Sequence, residues 1–179
     1  EAIERLKAVE IKTKEIFEEI RRSEFTLIDD YVSRLAELRK VRGEIISLRD
    51  VPYINLEAVN TFEKTVSNKT LELSESCVEF LLKEESLNPY RNHVAQLKDS
   101  LGNITKVTEG NELVENVTEA GNELEMLIDI VNNLKIEDST QATRIIDQIT
   151  EIFTSINQLK VAANKKIKEL HGVEGKAQF

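Results

Sequence analysis

Apolar residues return at intervals of three and then four along most of this chain, and no other feature restricts its fold as strongly. Over residues 139–170 the stripe reads Ile145, Ile149, Ile152, Ile156, Leu159, Ala163, Ile167 and Leu170. After Pro52 it reads Leu56, Val59, Val66, Leu73, Cys77 and Phe80, with Glu63 and Thr70 in the two remaining slots. Over residues 1–48 it runs through Val9, Ile16, Ile20, Leu27, Tyr31, Leu38, Ile45 and Leu48. A spacing that averages about 3.5 keeps each stripe on one side of a helix, where only another helix can hide it.

The stripes are wider than a two-stranded coil needs. Ile28 and Leu35, Phe62 and Leu81, and Ile146 and Phe153 flank the three seams, and a helix touching two neighbours requires that broader face. The expected fold is therefore all-α, an elongated antiparallel helical bundle or coiled coil of about four long helices. Composition agrees: 32% of residues are charged, 5% are aromatic and tryptophan is absent, sparse bulk for a rounded core of this length.

Turn signals divide the chain. Pro52 forces Val51 out of helical dihedrals, Asn88 reads as a cap with Pro89 as first helical residue, and Asp138 with Gln141 has capping-box spacing. One helical module over residues 1–179 is expected, with helices at 1–48, 55–86, 89–135 and 139–170. A helix of about 48 residues is about 70 Å long, so the module is expected to be a rod. Short connections near residues 50, 88 and 137 make neighbours antiparallel; at Pro89 a kink competes with a hairpin. The start at Glu1 and the abrupt close on "VEGKAQF" suggest a fragment of a larger protein.

Gly110-Asn111-Glu112-Leu113 recurs eleven residues later as Gly121-Asn122-Glu123-Leu124. The stripe of the third segment, extended through Val107, Gly110, Val114, Val117, Gly121, Leu124, Ile128 and Val131, carries both glycines. Eleven residues make almost three whole turns, so the two copies return to one angular position. A seam glycine admits a close neighbour or a bulky facing side chain, at a propensity cost near 1 kcal/mol relative to alanine. The alternative is that Gly-Asn ends one helix and caps the next. At Gly121 the unbroken rhythm favours a continuous helix; over residues 102–111, where Val107 appears in place of an apolar residue at 108, break and continuation fit equally.

Chemistry-bearing residues are few. His93 and His171 stand alone, without a partner at ligand spacing, and each reads as a solvent-facing histidine. Cys77 is the single cysteine; lying on an apolar stripe, it reads as a buried hydrophobe, and alone it rules out both an internal disulfide and a CxxC metal site. "GVEGKAQF" mimics a phosphate loop, yet two residues rather than four separate Gly172 from Gly175, and Ala177 stands where a magnesium-binding hydroxyl is needed. Glu18-Glu19, Asp29-Asp30 and Glu84-Glu85 read as solvated faces, and the sequons at Asn68, Asn103 and Asn116 as chance matches. No catalytic, cofactor-binding or metal-ligating residue is assigned. Two basic clusters stand out, one of Arg34, Arg39, Lys40 and Arg42 and one of Lys160, Lys165, Lys166 and Lys168. Residues 106–139, with nine acidic side chains against two basic, could supply the acidic face that the second cluster meets.

Four phrases in order, "LRKVRGEIISLRDVPYINL", "CVEFLLKEESLNPY", "DSTQATRIIDQITEIFTSINQLK" and "GVEGKAQF", resemble the helical coiled-coil region of very large bacterial proteins labelled DNA repair ATPases, which carry an AAA-type P-loop module elsewhere. The likeness runs from about residue 30 to the end and contains no ATPase motif. It implies a non-catalytic structural or protein-interaction arm of a large ATPase, with ATP and magnesium bound only in the parent, outside this segment.

Implied partners are the parent's own ATPase domains or other subunits, with a second copy as a further partner. The formal charge of −9 argues against coating nucleic acid or an anionic bilayer, so neither is expected as a partner. No window approaches the roughly 18 apolar residues of a membrane span, and the expected compartment is the cytoplasm. The rival reading is a nucleic-acid-binding helical rod that uses the clusters at 34–42 and 160–168; a membrane-sculpting helical dimer is a third.

Overall fold

The computed structural model describes residues 1–134 and 136–177. Among them every regular element is helical: α1 (Ala2–Arg22), α2 (Ile28–Ser47), a 3-10 turn (Leu48–Asp50), α3 (Leu56–Leu81), α4 (Asn88–Asn103), α5 (Val107–Asn133) and α6 (Ser139–Ala177). The chain divides into two compact units, Glu1–Lys83 and Glu84 onward.

In the first unit, α2 runs antiparallel to both of its neighbours. Lys12 Nζ on α1 meets Glu44 Oε1 on α2 at 2.7 Å, and Arg34 on α2 bonds Glu19 on α1. On the other side Arg49 bonds Glu63 of α3, while the rings of Tyr31 and Phe80 lie 5.2 Å apart. A helix with two neighbours must bury a broad face. That of α2 comprises Ile28, Tyr31, Val32, Leu35, Leu38, Val41 and Ile45, so the flanking residues Ile28 and Leu35 belong to the core. Each such aliphatic side chain contributes about 1.5–3 kcal/mol by leaving water.

The helix expected over residues 1–48 is two helices. Ser23 Oγ donates to Glu19 O at 2.6 Å and closes α1, while the Asp30 carboxylate accepts from the Thr26 and Leu27 N–H groups, both at 2.9 Å, and opens α2. These bonds satisfy backbone groups that an unbroken helix would pair internally. With the break, Leu27 leaves the stripe and is exposed. Likewise α3 stops at Leu81, short of the expected 86, and Leu56 at its first turn lies outside the core.

In the second unit α4, α5 and α6 pack on one another. The expected third helix is broken at Ile104–Lys106, inside the stretch where break and continuation fitted equally, and Gly110 lies within α5. Pro89 occupies the first turn of α4, where its missing N–H costs nothing. Asp138 caps α6 as expected, accepting from Thr140 N at 3.0 Å and Gln141 N at 3.3 Å. Beyond the expected end at residue 170, α6 continues to Ala177.

Both glycines are buried and face α6. A Cβ on Gly110 would lie 2.6 Å from Ile167 Cγ1, and one on Gly121 would lie 3.4 Å from Ile156 Cγ2. Eleven residues forward on α5 is therefore eleven residues back on α6, which fixes the pair as antiparallel and in register. Leu113, Val117 and Leu124 complete the α5 seam, against Ile149, Ile152, Leu159 and Ala163 buried on α6. The duplicated tetrapeptide is thus a packing repeat, with glycine beneath isoleucine in both copies.

Candidate functional site

Residues able to carry chemistry are dispersed. Cys77 is fully buried on α3, and burial pushes its thiol pKa up to about 12, the opposite of an activated nucleophile. Among the described residues no group of three His, Cys, Asp or Glu side chains could hold a metal ion. His171 is exposed on α6, whereas His93, expected to face solvent, is half-buried on α4. Gly172 and Gly175 lie inside the continuous helix α6, so the backbone there cannot curl around a phosphate.

Of the acidic pairs, Asp29-Asp30 has a structural duty at the α2 cap. The Leu27 N–H, then that of Thr26, holds the Asp30 carboxyl below its usual range. Tyr31 titrates above its ordinary value, chiefly through burial. Two grooves open on the first unit. One of about 400 Å³ is lined by Ile20 and Leu73 with Lys69, Glu72, Glu75, Ser76 and Glu79, and Lys69 there pairs with Glu72 at 3.6 Å. The other, of about 510 Å³, lies beside Val51, Pro52 and Tyr53. Neither lining contains a histidine or cysteine to pair with a nucleophile.

The basic clusters differ in a way that sequence could not display. On α2, Arg34 bonds Glu19 and also meets Glu37 at 2.9 Å, Arg42 lies 4.0 Å from Glu63, and Arg39 is engaged as well. Three of its four cations are thus engaged by the fold, and Lys40 is exposed. On α6, none of Lys160, Lys165, Lys166 and Lys168 has an ion-pair partner among the described residues. Lys165 and Lys168 are exposed, and Val161 beside them is 70% exposed.

The acidic face of residues 106–139 does not meet these lysines. Glu115 lies two residues before buried Val117 and Glu119 two after it, about 200° around α5 from its seam. Lys165 lies two residues after buried Ala163 and Lys168 two before buried Leu170, about 200° around α6. Since the two seams face each other, the charged columns point in opposite directions and cannot touch within one copy. The site that emerges is this pair of unneutralised faces on the second unit.

Among the described residues no helix is long and apolar enough to cross a membrane. Residues 85–169 match a family described as a domain of unknown function (DUF7902). No curated protein and no solved structure matches the chain. The matched stretch begins one residue inside the second unit and takes in the α4–α6 packing and both charged faces.

Proposed function

We propose that the chain is a non-catalytic structural and protein-interaction arm of a large multidomain bacterial ATPase of the DNA repair type, working in the cytoplasm as an elongated antiparallel coiled coil. The observation that carries this reading is the α5–α6 register: two long helices locked by glycine beneath isoleucine at two levels suit the transmission of force or position. The buried thiol of Cys77 and the scattered histidines support a role without chemistry. The four sequence phrases support the ATPase parent, in which nucleotide and magnesium bind outside this segment.

The test has two parts. The purified chain is expected to show no ATP turnover with magnesium, and the full reading frame is expected to encode P-loop motifs. Turnover by the chain, or a frame without such motifs, overturns the proposal. A nucleic-acid-binding rod is the second reading, favoured chiefly by the unpaired lysines of α6, since Arg34, Arg39 and Arg42 of the other cluster are engaged. It requires a salt-sensitive duplex DNA complex that disappears when Lys165, Lys166 and Lys168 are neutralised.

A further inference from the structure

We propose that the lysine face of α6 docks onto the glutamate face of α5 in a second copy of this chain, so that copies add head to tail. Three observations bring this together. Lys165 and Lys168 are exposed and without an ion-pair partner among the described residues, and so are Glu112, Glu115 and Glu119. The glutamates stand at i, i+3 and i+7 and form a column about 10 Å long. Val161, Lys165 and Lys168 stand at i, i+4 and i+7, a column of the same length.

The faces are thus opposite in charge, three glutamates against two lysines, and neither has an ion-pair partner among the described residues. Because they lie on opposite sides of the α5–α6 pair, one copy cannot close the contact on itself. For the same reason two copies do not use it reciprocally: the contact is heterologous and leaves one free face of each sign at the ends. Val161, 70% exposed at the end of the lysine column, is the apolar element that the glutamate column's neighbour Ala120, buried at 3%, does not supply. Attraction between the columns is therefore mainly electrostatic and dies away in high salt, where screening shortens to about 3 Å at 1 M.

The proposal rests on reading the chain as an interaction element and adds its partner. Light scattering on the full chain at high protein concentration is expected to show a weight-average mass that rises with concentration at low salt and returns to one copy at high salt. Lys165→Glu with Lys168→Glu makes both faces acidic, and Glu115→Lys with Glu119→Lys makes both basic; each variant alone is expected to stay at one copy. Their equimolar mixture is expected to associate again, with an affinity comparable to that of the unchanged chain. All four substitutions are on exposed positions, and circular dichroism of each variant checks that its helix content is retained.

A mixture that stays at one copy overturns the proposal, as does association of the unchanged chain that is indifferent to both charge reversals. Capture of a short DNA duplex by the lysine face, with no self-association at any salt, overturns it in favour of a polyanion. Failure of the mixing experiment removes the homotypic contact alone, because the ATP and reading-frame tests of the arm do not depend on it.

Discussion

Alanine at Gly110 and alanine at Gly121 make one chemical change at equivalent positions of a repeated tetrapeptide, and the structure sets opposite signs for them. In either helix context alanine gains about 1 kcal/mol of propensity over glycine. At Gly121 the new methyl would lie 3.4 Å from Ile156 Cγ2 and 3.8 Å from Phe153 Cε2, ordinary contacts, so the gain survives and burial adds up to about 0.8 kcal/mol.

At Gly110 it would lie 2.6 Å from Ile167 Cγ1 and 3.3 Å from its Cδ1. Ile167 cannot swing aside cheaply, because a β-branched side chain in a helix has essentially one χ1 rotamer. Overpacking costs about 1–3 kcal/mol, which offsets the propensity gain and leaves a net loss of about 1 kcal/mol. The two variants should therefore differ by about 2 kcal/mol, or roughly 4–8 °C in Tm for a chain of this size.

Thermal and urea unfolding followed by far-UV circular dichroism measures this difference. Gly43→Ala, in open space on α2, isolates the propensity gain. Ile167→Ala removes Cγ1 and leaves a Cβ that is 3.9 Å from the new methyl. In that background Gly110→Ala should change sign and stabilise by about 1 kcal/mol. Equal stabilisation by Gly110→Ala and Gly121→Ala in the unchanged chain, or no change of sign with Ile167→Ala, refutes the packing assignment.

Three further outcomes are expected. Cys77, fully buried with a thiol pKa pushed up to about 12, should resist iodoacetamide at pH 8 in the native chain and react promptly in urea; rapid native labelling would contradict the burial. Asp30→Ala should destabilise by about 1 kcal/mol through loss of the α2 cap. Because the folded carboxyl titrates below its ordinary value, the contribution of Asp30 is present above the unfolded pKa near 3.9 and is lost as pH falls through the lower folded one, so the variant should show a shallower acid destabilisation. Tyr53, fully exposed at φ 66°, occupies a left-handed conformation that costs a side-chain-bearing residue about 1–2 kcal/mol; Tyr53→Gly should raise stability by about 0.5–1 kcal/mol, and a loss in urea melts would show that the ring makes contacts.

Helices and their buried sides were readable because period and burial are one property: Leu38, Val66, Val117 and Ile149 are fully buried, and each lies on its expected stripe. The break after Arg22 was not, since neither proline nor glycine marks it. The signal lay in Ser23 and in Thr26 followed by Asp30, polar residues able to take backbone bonds from a helix. The site was less legible. Arg34 and Lys165 look alike in a charge count, and what separates them is the presence of Glu19 on a neighbouring helix, a consequence of register that no local pattern encodes. The opposed directions of the two charged columns likewise became evident only once α5 and α6 were seen to face each other.

The Gly–Ile levels on α5 and α6 also index the hairpin. Sliding one arm by a single turn, four residues, would drive Ile156 off Gly121 and onto Val117, and would leave Gly110 facing Ala163 in place of Ile167. Creep along the pair is therefore opposed by notches and teeth cut at matching intervals, and a pull applied to one arm reaches the other as displacement instead of being dissipated as slip.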